Sequence, residues 1–103
     1  MTTGTTANRD TLLRVYNIRP DGWEQFLVLW RRIVAVRQRF GFELLFALED
    51  REENVFTWAV SHSGDIDEVA ERYYADPERK ALEVIGDYVI GYKVTKVSRV
   101  ALS

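Results

Sequence analysis

The chain has 103 residues, the size of one domain, and with 47% apolar and 29% charged residues it has a globular rather than a disordered composition. Its 14 basic and 16 acidic residues leave a net charge of −2, which excludes a general binder of nucleic acid or of anionic membrane. Without cysteine, disulfides, thiolate chemistry and cysteine-ligated metals are excluded, and an intracellular, cytoplasmic setting is favoured.

Residues 1–9 lack an apolar stretch and read as a loose tail, not as a secretory signal; a single domain is expected over residues 10–103. No apolar run approaches the ~20 residues of a bilayer span. Residues 11–19 read as the first strand, with Leu13 and Val15 on one side and Leu12, Arg14, Tyr16 and Ile18 on the other. Large side chains on both sides predict a sheet covered on both faces. Pro20 closes this strand.

Residues 21–41 then read as one long amphipathic helix. Asp21 is the expected N-cap, with Glu24 completing a D-x-x-E pair. Gly41 is the expected left-handed residue past its end, and Arg37 and Arg39 complement the dipole in the last turn. At about 100° per residue, Trp23, Phe26, Leu27, Trp30, Ile33 and Val34 share one side, widened by Leu29, Val36 and Phe40. Arg37 breaks the division, because it falls within the apolar arc.

Past Gly41, Phe42, Leu44, Phe46 and Leu48 alternate with Glu43, Leu45, Ala47 and Glu49 as a second strand. Residues 50–54 are too polar for anything but a hairpin loop. The third strand, residues 55–62, places Phe56, Trp58, Val60 and His62 on one face. Asp65 and Glu68 repeat the capping signal ahead of a stripe formed by Ile66, Val69, Ala70, Tyr73 and Tyr74. Asp76-Pro77 opens a short helix to about residue 84. A last strand is expected over residues 88–102, and a break in its apolar parity at Val97 predicts a bulge there.

The order β-α-β-β-α-β defines an α+β fold, the ferredoxin-like plait: a four-stranded antiparallel sheet with both helices on one face. The other face, also apolar, needs a cover, and a second copy of the same sheet is the simplest one. A homodimer is expected.

Three stretches carry a family resemblance: LLRVYNIRPDGWEQFLVLW at residues 12–30, FTWAVSHSG at 56–64 and YYADPERKAL at 73–82. Across nearly the whole chain past the tail, the sequence resembles the NIPSNAP family within the dimeric α/β-barrel superfamily. The resemblance implies two plaits packed sheet to sheet as a barrel, with a pocket in each subunit between sheet and helices. It implies no catalytic set. The wider superfamily includes cofactor-free monooxygenases acting on polyphenols, haem-degrading monooxygenases, polyketide cyclases and lactone isomerases, which bear on this chain only as analogies of fold.

Among candidate chemical groups, His62 is the only histidine, so histidine-cluster metal sites are excluded. It suits a general acid or base; alternatively it is a hydrogen-bonded residue at a strand end. Arg37 either meets an anionic oxygen of a ligand or snorkels at the helix end and caps the last carbonyls. Arg14 and Tyr16 share a strand face, and Tyr73, Tyr74, Tyr88 and Tyr92 come from converging elements. With Trp30 and Trp58 these residues either line an aromatic pocket with polar tips or form core. The basic helix face of Arg31, Arg32 and Arg39 faces possible neutralisation by Asp67, Glu68 and Glu71. No phosphate loop, dinucleotide motif or calcium loop is present.

The expectation is therefore a homodimer that binds a small aromatic or polyketide-like metabolite and transforms it without cofactor or metal, by oxygenation, cyclisation or proton transfer. His62, Arg37 and Arg14 are the catalytic candidates, and Tyr16, Trp30, Trp58, Tyr73 and Tyr88 the ligand-binding ones. The competing expectation is a non-enzymatic dimeric binding or interaction protein, with no open pocket between sheet and helices.

Overall fold

The computed structural model describes residues 10–101, so the tail read at residues 1–9 and the expected strand end at Leu102 lie outside it. The elements are β1 (Thr11–Ile18), α1 (Trp23–Arg39), β2 (Glu43–Asp50), β3 (Val55–Ser61), α2 (Ile66–Ala75), α3 (Pro77–Ala81), a 3₁₀ turn (Glu83–Tyr88) and β4 (Val89–Val97). The strands form one antiparallel sheet in the order β2-β3-β1-β4, which is the ferredoxin-like plait.

Local signals account for most element ends. Past α1, Gly41 adopts φ 88°, its N–H donates to the Gln38 carbonyl (3.0 Å), and the Phe42 N–H donates to the Arg37 carbonyl (3.1 Å). This is a Schellman ending, which satisfies two carbonyls of the last turn. Asp65 caps α2 by accepting from the Asp67 and Glu68 N–H groups, and Asp76 caps α3 in the same way for Glu78 and Arg79. The start of α1 differs from expectation. Gly22, not Asp21, is its N-cap, with no side-chain cap, and Asp21 turns outward 3.6 Å from Arg19. The ring of Tyr88 explains the glycine: a Cβ at Gly22 would lie 2.7 Å from Tyr88 Cδ1.

The core lies between the helices and one sheet face. Trp23, Phe26, Trp30 and Ile33 of α1 meet Tyr16 and Ile18 of β1 and Phe56, Trp58 and Val60 of β3. The aromatic rings interlock edge to face. Phe56 stands 5.0 Å from both Phe26 and Trp30, and Trp30 lies 5.6 Å from Trp58. Such pairs add about 0.5–1.5 kcal/mol each beyond area burial.

Two strands break the expected alternation. In β2, Leu44 pairs with Val60 but Phe46 pairs with Ala59, so Leu45 is an extra residue and side chains beyond it change face. Phe46 and Leu48 therefore join Leu13 and Val15 on the face away from the helices, where they are 40% and 61% exposed. In β4 the irregularity falls at Ile90, between Val89 and Gly91, and not at the predicted Val97, where the strand ends. The expected neutralisation of Arg31 and Arg32 does not form either: Asp67 pairs with Lys96 and Glu68 with Arg72.

Candidate functional site: an arginine-lined cavity between sheet and helices

A cavity of about 380 Å³ opens between the sheet and the helices. It exists because the helices do not reach across β4. Tyr92 lies on the helix-side face, opposite Tyr16, yet is 73% exposed. Helix α1 contributes Trp30, Ile33 and Arg37, spaced three and four residues apart on one face. The sheet floor is Arg14 and Tyr16 of β1 with Trp58 of β3. Tyr73 and Tyr74 of α2 and Arg79 of α3 close the far side, and Glu83 lies at the exposed rim.

The three arginines are held over aromatic rings. The Arg37 guanidinium lies 4.3 Å from the Tyr73 ring centroid, 4.9 Å from Phe42 and 5.5 Å from Trp58. Arg14 stands 5.4 Å over Trp58, on the same ring, and its Nε donates to the Tyr16 hydroxyl at 2.7 Å. Arg79 lies 5.4 Å from Tyr73 and 5.1 Å from Tyr74. No ion pair joins Arg14, Arg37 or Arg79 to a carboxylate among the described residues. Asp76 and Glu78, the acidic residues nearest Arg79 in sequence, pair with Arg39 at 3.5 and 2.9 Å.

Among the described residues, seven buried side-chain atoms have no hydrogen-bond partner in the protein: Trp30 Nε1, Arg37 Nε and Nη1, Trp58 Nε1, the Tyr73 hydroxyl, and Arg79 Nε and Nη1. All seven belong to residues of this one cavity, and every one can donate. Native interiors satisfy nearly all buried polar groups, so such a concentration sets the surroundings of this cavity apart from the rest of the core.

Electrostatics follow the geometry. Burial, and then the neighbouring Arg14, hold the Arg37 pKa below the usual arginine value. For Arg14, burial acts against the charge, but the phenol oxygens of Tyr16 and Tyr74 raise its pKa overall. Burial pushes the Tyr73 phenol up despite Arg37 and Arg79. Burial also acts to raise Tyr74, but Arg14, Arg37 and Arg79 together outweigh it and bring its pKa below the ordinary tyrosine value. Tyr74 is also the one cavity residue that hydrogen-bonds Arg37, accepting from Nη2 at 3.4 Å.

Of the residues singled out in the sequence, Arg14, Arg37, Tyr16, Trp30, Trp58 and Tyr73 meet in this cavity. Arg37 does not snorkel; it is 2% exposed. His62 is elsewhere. It follows β3 and lies on the far side of Phe42, its ring 5.1 Å from that of Phe42. Its Nδ1 accepts from the Gly64 N–H at 2.9 Å, which leaves Nε2–H to donate to the Phe40 carbonyl at 2.9 Å. It borders a separate polar cavity of about 260 Å³ that includes Asp10, Glu43 and Arg99. Tyr88 also misses the arginine cavity, because its ring packs on Gly22. Arg79 was not foreseen. Its local signal was the Asp76-Pro77 cap, which fixes the first turn of α3 and hence the position of residue 79, but nothing in that turn says that its side chain lies against Tyr73 and Tyr74.

Fold and site together define a ferredoxin-like plait with an aromatic-walled, cationic cavity between its layers. Solved structures place it further. An uncharacterised NIPSNAP domain protein from Burkholderia xenovorans matches with a TM-score of 0.77 and 16% identity, over 90% of this chain and 96% of that one. A NIPSNAP family protein from Agrobacterium tumefaciens matches at 0.72 and 16% identity, over 90% and 87%. An antibiotic biosynthesis monooxygenase matches at 0.68 and 16% identity, over 88% and 98%. At these identities the likeness establishes a shared fold, and the NIPSNAP resemblance read from the sequence holds at that level. No family model and no curated relative matches the sequence. No helix among the described residues is long and apolar enough to cross a membrane, and none of their His, Asp and Glu side chains cluster as a metal site.

Proposed function

We propose that the chain is a homodimeric small-molecule-binding protein that takes an aromatic or polyketide-like metabolite into the arginine-lined cavity and transforms it without a cofactor. The observation that carries this reading is Arg37: a guanidinium 2% exposed, with two unpartnered nitrogens, on the wall of an open aromatic cavity. A buried cation without a carboxylate is costly, and a ligand oxyanion is the partner its geometry suits. In an enolisable substrate, Arg37 and Arg14 would stabilise the developing oxyanion during oxygenation, cyclisation or proton transfer. His62, behind Phe42 and held by two backbone groups, has no part in this reading.

The test uses Trp30 and Trp58 as reporters. Titration with aromatic ketones and phenols should quench their fluorescence, and Trp30→Phe should reduce the signal change. Absence of binding across such a panel would sink the proposal. The open cavity beside Arg37 counts against the alternative, a non-enzymatic binding or interaction protein with no open pocket, and turnover of a compound that binds would separate the two.

The dimer rests on the other sheet face. Leu13, Val15, Phe46 and Leu48 leave it apolar and uncovered by helices. Sedimentation equilibrium at micromolar concentration should give twice the chain mass, and Leu48→Asp should return it to monomer; a wild-type monomer overturns this part alone.

A further inference from the structure

Resting on that reading of the cavity, we infer that its ligand is dianionic: a flat aromatic or enolised acid that carries two negatively charged oxygen groups. The charge count leads there. Arg14, Arg37 and Arg79 place three cations around the cavity, from β1, α1 and α3, and the carboxylate at the rim, Glu83, is exposed and pairs with none of them among the described residues. A neutral aromatic ligand would leave three like charges uncompensated beside the ligand, and a monoanion would leave two.

The donor inventory points the same way. The unpartnered buried side-chain atoms of the residues that border the cavity are four guanidinium nitrogens, two indole nitrogens and one phenol, just beneath its surface, with no carboxylate oxygen among them. A ligand that meets them must present acceptors in several directions, as two carboxylates, or a carboxylate with an enolate or phenolate, do. Arg37 and Arg79 share the Tyr73 ring, and Arg14 and Arg37 share that of Trp58, so the three charges fall within the span of one small molecule. About 380 Å³ has room for two fused rings. Trp30, Ile33 and Ile85 supply the apolar wall for such a body.

Isothermal titration of the full chain with naphthalene-2,3-dicarboxylate, 2-naphthoate and 2-naphthamide varies charge on a constant ring. The dicarboxylate should bind at least about tenfold tighter than the monoanion, and the amide weakest. Its affinity should also fall most steeply as salt is raised. Arg37→Met and Arg79→Met should each bring the dicarboxylate close to the monoanion and weaken the amide much less. Equal affinity of the three probes for the wild-type protein overturns the dianion and leaves the aromatic cavity standing. If none of the three binds or shifts the amide resonances of cavity residues, both readings fall together.

Discussion

Arg37→Met should make the unliganded protein more stable, the reverse of what removing a buried, hydrogen-bonded side chain usually does. Arg37 is 2% exposed as a residue, and its Nε and Nη1 lack partners among the described residues. A buried donor without a partner costs ~1–3 kcal/mol, so the two nitrogens together cost roughly 2–6 kcal/mol. Against this stand a long hydrogen bond to Tyr74, 3.4 Å, and the contacts over Phe42, Trp58 and Tyr73. At this desolvated site each ring contact is worth ~2 kcal/mol, which is offset by the several kcal/mol that burying the guanidinium charge without a carboxylate costs. Methionine keeps the length of the stem and replaces part of the ring contact through sulfur. The balance is a gain of about 1 kcal/mol, which in a domain of this size raises Tm by about 4–8 °C. Urea unfolding followed by tryptophan fluorescence, with thermal unfolding by circular dichroism, measures it directly. A variant less stable than wild type by about 1 kcal/mol or more would show that Arg37 is a structural strut. Its unpartnered nitrogens would then give no support to a ligand site.

Three further expectations concern single groups. Tyr74 has its pKa lowered in the folded state, so its stabilising contribution is present above the unfolded tyrosine value near ~10 and is lost as pH falls through the lower folded value. Absorbance titration at alkaline pH should show one tyrosine ionising early, and Tyr74→Phe should remove that step; an unchanged curve refutes the arginine influence. Gly41→Ala should cost about 1–2 kcal/mol, because φ 88° is left-handed and the new Cβ would meet His62 Nε2 at 3.0 Å. His62→Ala should cost a similar ~1–2 kcal/mol through its two lost backbone hydrogen bonds while leaving cavity affinity intact. Loss of ligand binding in a folded His62→Ala protein would return the histidine to the site.

What could be read from the residues was what depends on near neighbours. Gly41, Asp65 and the Asp76-Pro77 pair announced their helix ends because capping is satisfied within a turn. The strand faces of β1 and β3 were legible because no irregularity interrupts their mutual pairing. Asp21 misled because a tertiary contact, Tyr88 on Gly22, decides where α1 begins. Phe46 and Leu48 misled because period-2 reasoning cannot see an extra residue at Leu45. In the site, Arg37 was conspicuous because a charge in an apolar arc breaks a pattern. Arg79 sits in a five-residue helix with no buried residues, so it broke none. His62 attracted attention through residue type alone, and only the fold shows both its nitrogens already engaged.

The extra residue in β2 has a consequence for chain length. Deleting Leu45 alone would restore regular pairing and leave Phe46 and Leu48 opposite Ala59 and Thr57, on the face turned from the helices; keeping Leu45 in an unbulged ladder would instead turn Leu45, Ala47 and Glu49 that way. The bulge itself, with no substitution at any position, therefore decides whether Phe46 and Leu48 or Ala47 and Glu49 face outward. A relative aligned through this strand without a gap, but lacking the bulge, would have its residues assigned to the wrong side of the sheet.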